Sequence, residues 1–180
     1  MKYNKYKESG AIHHYWYRKQ IPWYIEVANL CVERAVGQVV IDLGCGDGLV
    51  SKLLDARGYT VIGADNEESG LKLARELVPN AEFILKDLND MFSPMAIYDY
   101  MVCLNTIEHL EKPENIVKIF RDNINQRGLI ITDRPVEGRK LKGSHFKEYN
   151  IKELRDLFKD FKCREIGLHT PIFIALEVTK

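Results

Sequence analysis

The chain alternates between short runs of consecutive apolar residues and longer segments whose apolar positions recur every three or four. The first kind, "QVVIDL", "TVIGAD", "AEFILK", "YDYMVCLN", "RGLIITD", "CREIGLH" and "IFIALEVTK", predicts strands, several of them buried on both faces. The second kind predicts helices over "IPWYIEVANLCVERAV", "LVSKLLDARG", "ESGLKLARELV", "KPENIVKIFRDNI" and "IKELRDLFKDF". Punctuation agrees with that division. Gly37 and Gly58 stop helices, as does Pro79, Pro113 sits near a first turn, and Asn150 is placed to cap the last helix.

Strand then helix for most of the length implies a parallel sheet with helices on both faces. The last two strands are parted only by a tight connection around Thr170 and Pro171. A parallel pair needs a crossover of a dozen or more residues, so this pair must be antiparallel. The expectation is an α/β doubly wound sheet of seven strands, mostly parallel, with the last strand running backwards.

Composition narrows the class without naming it. The 180 residues suit one domain, and Lys plus Arg balance Asp plus Glu at 26 each. No overall field draws such a chain to nucleic acid or to an anionic membrane. The cysteines Cys31, Cys45, Cys103 and Cys163 form no C-x-x-C pair and are expected to be reduced and mostly buried. No run reaches the ~18 apolar residues of a membrane span, and "MKYNKYKESG" lacks the apolar segment of a signal peptide, so the expected location is cytoplasmic.

Candidate chemistry begins at "VVIDLGCGDG", where Gly44, Gly46 and Gly48 follow the first strand. Ligands of open α/β sheets bind at the carboxyl ends of strands, and glycine there admits positive φ and close approach to the main chain. The alternative is a tight turn without a ligand. Leu49 stands where the dinucleotide fingerprint G-x-G-x-x-G needs its third glycine, and no phosphate-binding G-x-x-x-x-G-K-[ST] is present. Asp65 ends the second strand, 23 positions beyond Asp42, where an acid can accept hydrogen bonds from both ribose hydroxyls of a nucleoside; it could equally cap the next helix. Asp87 follows the third strand.

In this order, "VVIDLGCGDG", "VIGADNEESGLKLARE", "FILKDLND" and "YDYMVCLNTIEHLEKPENIVKIF" resemble the motifs of class I S-adenosylmethionine-dependent methyltransferases. The resemblance runs from about Val39 to Thr132 and implies a Rossmann-like single domain over 1–180. Within it, an N-terminal aromatic and helical lid segment (1–36) would precede the cofactor-binding core (37–180). S-adenosyl-L-methionine would be the cofactor. Asp42, Gly44, Cys45 and Gly46 would line its methionine part, close to the turn from Gly44 to Gly48. Asp65 would hold the ribose, with Asn66 beside the adenine. Asp87 and the Leu88 backbone would face the adenine amino edge, and Asn105 would lie near the amine and the transferred methyl.

The acceptor is less constrained, because an activated methyl asks mainly for alignment, and for a base only when a proton must leave. "LNTIEH" replaces the D/N-P-P-Y/F of DNA amino-methyltransferases, and no Pro-Cys nucleophile is present. Candidate catalytic residues are Glu108 and His109 at the mouth of the site, His109 as base, and His145 in "GSHFKEY". Glu108 and His109 could instead begin a helix and pack beneath a loop. The three also resemble part of the metal pattern of enzymes that methylate the 2′-hydroxyl at small-RNA 3′ ends. There a glutamate stands where this chain has Asn105, a weaker ligand, so no metal is expected. "IHHYWYRKQIPWY" could be a lid, an RNA-stacking surface or a packed helix. With little sequence outside the core, the acceptor site must come from this segment and the 133–149 loop. A small-molecule substrate suits that economy best. The alternatives are an RNA 2′-O-methyltransferase with a divalent metal and a nicotinamide-dependent oxidoreductase.

Overall fold

A computed structural model of the chain describes residues 5–90, 96–136, 138, 141 and 144–180. Of the 133–149 loop, residues 137, 139, 140, 142 and 143 lie outside the described residues, as do 91–95 between the third and fourth strands. Three helices open the chain: α1 (Lys5–Ser9), α2 (Ile12–Arg18) and α3 (Pro22–Glu33). Then follow β1 (Val39–Leu43), α4 (Leu49–Asp55), β2 (Thr60–Asp65), α5 (Glu68–Leu77), β3 (Glu82–Leu85) and β4 (Tyr98–Leu104). After a 3-10 turn at Ile107–His109 come α6 (Glu114–Asn123), β5 (Ile124–Asp133), α7 (Ile151–Leu157), β6 (Lys162–Ile166) and β7 (Phe173–Thr179).

The seven strands lie in the order β3-β2-β1-β4-β5-β7-β6. β1 to β5 pair in parallel, and β7 inserts antiparallel between β5 and β6. The seven-stranded sheet with its reversed last strand is therefore as the sequence implies. Strand periodicity divides the core. Ile41, Leu43, Met101, Cys103 and Ile130 face α6 and α7, where Ile116, Phe120, Leu154 and Phe158 meet them. Val40, Tyr100, Val102, Leu129 and Ile131 face α3 and α4 on the other side. Both faces are covered, so β1 and β4 read as near-continuous apolar runs, interrupted only by Asp42 and Asp99.

Element ends depart from the sequence reading where tertiary contacts decide. β5 begins at Ile124, directly after α6, rather than at Arg127, because Ile124 already pairs with Tyr98. α4 stops at Asp55, three residues before Gly58. At α7 the Asn150 side chain accepts from the Glu153 N–H and Glu153 caps in return, a full capping box. Cys31, Cys45 and Cys103 are buried and no cysteine is disulfide-bonded. Among the described residues no helix is long and apolar enough to cross a membrane.

Candidate functional site

The order of strands reverses between β1 and β4, and the loops leaving their carboxyl ends diverge there to open a crevice. A cavity of about 1350 Å³ occupies this place. Asp42, Gly44, Cys45, Asp65, Asn66, Asp87, Leu88, Asn105, His109 and His145 all line it. Residues spread over a hundred positions converge because all but His145, which lies in the loop before α7, sit at or a few residues past a strand end.

Asp42 is buried among the apolar residues of β1 and accepts a hydrogen bond from Ser51 Oγ at 2.7 Å. Burial pushes its carboxyl up to about 7, against the Ser51 hydrogen bond and with help from the negative Asp65 and Asp47. Asp65 accepts the Gly46 N–H at 2.9 Å and the Glu67 N–H at 2.8 Å. It thus ties the glycine turn to the start of α5, but the residue at the helix cap is Glu67. Burial raises Asp65 above the ordinary carboxyl range, while these two backbone donors pull it back. Asp87 holds the turn after β3 by accepting the Asn89 N–H at 2.9 Å, and the buried Leu88 gives its carbonyl to Asn115.

The glycines are bare for a reason the sequence does not show. Gly44 and Gly46 have φ of +76° and +54°. A Cβ on Gly44 would stand 1.9 Å from Thr106 Oγ1, and one on Gly46 would stand 2.0 Å from Tyr6 Oη. At Gly48 the obstacle is Ala74. Each glycine is therefore required by another part of the chain. Gly44 lines the cavity, whereas the space beside Gly46 is taken by Tyr6 of α1.

Asn105 follows β4 with φ +49°, a left-handed conformation that asparagine tolerates better than most residues. Its Nδ2 donates to Glu108 Oε1 at 3.0 Å and to Asp133 Oδ1 at 3.3 Å. Glu108 is 0% exposed, so the structure puts it under the floor of the site and not at its mouth. Burial raises its carboxyl above the usual range, and its Oε2 has no hydrogen-bond partner among the described residues. His109 does reach the cavity. Its Nδ1 lies 2.8 Å from the Ser144 carbonyl, so Nδ1 is the donor and Nε2 the acceptor nitrogen of the neutral ring. The His145 ring meets it edge-on at 4.8 Å, with Nε2 3.8 Å from Asp133 Oδ2 and Nδ1 3.4 Å from Glu148 Oε1. One potential ligand atom from each of Glu108, His109 and His145 lies within 4.8 Å of the others.

Sequence reasoning missed Asp47, Lys5, Tyr6 and Asp133. Asp47 is 0% exposed and receives the His13 backbone N–H at 2.8 Å and His13 Nδ1 at 3.0 Å. Burial would raise its carboxyl, but the His13 contacts hold it below the ordinary range. Tyr6 is buried against the turn, and its N–H donates to Glu67 at 3.0 Å. The aromatic segment proves to be both packing and wall. Trp16, Trp23 and Tyr24 interlock edge-on with centroids 5.2–5.8 Å apart and also line the cavity. Tyr15 is the large aromatic of this segment left exposed, so the segment is not a free stacking surface.

Comparison with known proteins agrees with the fold and the motifs. Residues 40–128 match the family model described as a methyltransferase domain. The chain is 28% identical over 156 residues to a protein named as a probable S-adenosylmethionine-dependent methyltransferase of Mycobacterium tuberculosis, covering 83% of this chain and 56% of that one. It is 33% identical over 88 residues to the ubiquinone biosynthesis O-methyltransferase of Acinetobacter baylyi, covering 46% and 37%. The chain thus spans about half the length of the curated relatives it matches. Among solved structures, TehB of Haemophilus influenzae superposes with a TM-score of 0.73 at 21% identity, over 93% of this chain and 66% of that one. Magnesium protoporphyrin IX methyltransferase of Synechocystis with bound SAM gives 0.67 at 18% identity, over 98% and 94%. In its matched residues and in its fold the chain is similar to class I S-adenosylmethionine-dependent methyltransferases.

Proposed function

We propose that the cavity binds S-adenosylmethionine and that the chain transfers its methyl group to an oxygen or nitrogen of a small-molecule acceptor. The observation that carries this reading is the convergence of Asp42, Asp65, Asp87 and Asn105 on one cavity that also contains His109. The residues fit the cofactor's charge. Asp42 is a buried acid with one hydroxyl donor beside it, a site that a ligand bearing a sulfonium and an ammonium would match. Asp65, at the end of β2, would hold the ribose hydroxyls, and Asp87 and Leu88 would border the adenine.

Bound there, the cofactor supplies a methyl group already activated for transfer. The chain's own work is to bind, orient and take a proton. Asn105, fixed between two carboxylates, presents its backbone and amide at the end of β4. His109 accepts a proton at Nε2, since the Ser144 carbonyl holds its Nδ1–H and fixes the tautomer. Phe146, Ile172, Phe173, Trp23 and Leu104 make the acceptor side of the cavity largely apolar, which suits a small organic acceptor and helps exclude water. The O-methyltransferase names of several relatives support transfer to oxygen.

The test is incubation with methyl-labelled cofactor across metabolite, RNA and protein pools. Label in a small molecule supports the reading. Label in RNA or protein overturns the acceptor class, and no label in any pool overturns the activity.

A second reading, a metal-assisted transfer, is favoured by one observation, the approach of Glu108, His109 and His145 to within 4.8 Å. His109 Nδ1 meets the Ser144 carbonyl and His145 Nδ1 lies 3.4 Å from Glu148 Oε1, so the two Nε2 atoms would be the candidate ligand atoms, the other ring nitrogen facing an oxygen as in metal-bound histidines. Loss of activity on chelation, with recovery on added divalent ion, would favour it; undiminished activity after chelation would dismiss it.

A further inference from the structure

A second groove, of about 440 Å³, lies between α2, α4 and the end of α5. Leu49, at the start of α4, lines both this groove and the cavity described above, so the two lie on either side of one buried side chain. Leu53 and Leu77 line the groove and are only half-buried, and the small Ala56 keeps it open at the end of α4. Tyr15 of α2 borders it and is 46% exposed. The α2 wall is fixed without any occupant, because His14 Nε2 donates to the Asp47 carbonyl at 3.0 Å and ties the helix to the glycine turn. Such a groove is pre-formed, and its volume falls within the ~300–1,000 Å³ of small-molecule sites.

Its charged groups are of one sign. Arg18 of α2 and Lys52 of α4 line it, and among the described residues no Asp or Glu side chain does. Neither cation has an ion-pair partner among the described residues. Asp55, at the end of α4, accepts from Asn80 Nδ2 at 3.5 Å instead of pairing with Lys52. Lys19 stands 5.9 Å from the Tyr15 ring centroid and adds a third positive charge beside the groove. Burial, helped by the Lys52 cation, keeps His14 below its ordinary range against the pull of Asp47, so the field of Lys52 is felt within the groove. Apolar walls with cations and no acid are complementary to a molecule that joins an apolar chain to an anionic head.

We propose that this groove binds a free amphiphilic carboxylate, its chain against Leu49, Leu53 and Leu77 and its head group toward Arg18 and Lys52. The site is separate from the cofactor cavity and does not rest on the cofactor reading. Its occupant would hold α2 against α4, and α2 also presents His13 and Trp16 to the cavity.

The experiment is titration calorimetry of the full chain with octanoate, and with 1-octanol and octylammonium as probes that keep the chain and lack the negative charge. The expected result is saturable one-to-one binding of octanoate with a dissociation constant below about 1 mM, 1-octanol at least roughly fivefold weaker, and no saturable heat from octylammonium. Arg18→Gln and Lys52→Gln should each weaken octanoate by roughly 2- to 5-fold, the range of exposed ion pairs, and leave 1-octanol within about twofold. Ala56 is exposed and has helical backbone angles, so Ala56→Phe fills the groove without disturbing the core. It should weaken octanoate by more than roughly tenfold, with circular dichroism checking that each variant keeps its helix content. Absence of saturable octanoate binding would overturn the proposal. So would equal affinity for octanoate and 1-octanol. Octanoate binding that all of these substitutions leave unchanged would overturn it too, by putting the ligand elsewhere on the chain.

Discussion

Replacing Asp42 with asparagine removes a charge that the fold holds at a cost. In the unfolded chain this carboxyl loses its proton near the ordinary value of 3.8, whereas burial in the folded chain keeps it protonated up to about 7. Between those values the unfolded state binds fewer protons than the folded state, so this group makes stability fall as pH rises from about 4 to 7 and stay level above. The displacement corresponds to about 4 kcal/mol at pH 8, at 1.36 kcal/mol for each pH unit. The amide oxygen of Asp42→Asn can still accept the Ser51 hydroxyl, so the variant should keep the contact and lose the penalty. Chemical denaturation of both proteins without ligand, at pH 5 and pH 8, reads the difference. The variant should gain roughly 1–2.5 kcal/mol on the wild type between the two pH values, because about two of the three pH units of displacement lie above pH 5, with the lower figure expected if water relaxes around the acid or Asp65 takes up part of the shift. Parallel pH dependences for the two proteins would refute the account of Asp42. The same variant should bind S-adenosylmethionine more weakly, because the charge that destabilises the empty site is the one a cationic ligand would use.

Other outcomes follow from the contacts. Asp65→Ala should weaken S-adenosylhomocysteine by roughly 10- to 150-fold by calorimetry. Because Asp65 also accepts the Gly46 and Glu67 N–H groups, the variant should lose about 1–3 kcal/mol in denaturation as well; unchanged affinity would leave Asp65 a turn residue only. His109→Ala should keep cofactor affinity while turnover falls by roughly 10²–10⁴, and a variant with full turnover would make His109 a packing residue. Asp47→Ala should detach α2, seen as faster proteolysis near residues 10–20 and red-shifted tryptophan emission, and unaltered proteolysis would deny Asp47 its anchoring role.

The fold was legible because alternating apolar runs and helical stripes are local signals, and the crossover length alone forced the last strand pair to be antiparallel. The acids at strand ends were legible for the same reason: Asp42, Asp65 and Asp87 occupy positions that any parallel sheet would bring together. What could not be read were contacts made across the chain. Asp47 carries no signal of its own between the glycines, and its partner His13 stands 34 residues earlier. Gly46 looked emptied for a ligand, yet the group filling its space is Tyr6. Glu108 and His109 are neighbours in sequence, but the 3-10 turn after β4 sends one beneath the floor and the other into the cavity. A signal was available for Asp133, an acid ending an apolar strand as Asp42 and Asp65 do, and it lies 3.8 Å from His145.

The measurement that bears most directly on the central claim is calorimetric titration of the wild-type chain with S-adenosylhomocysteine and, separately, with NAD. The account predicts one-to-one binding of S-adenosylhomocysteine with a dissociation constant below about 100 μM, or at least roughly 5.5 kcal/mol, and no saturable heat with NAD. Saturable binding of NAD without binding of S-adenosylhomocysteine would contradict it.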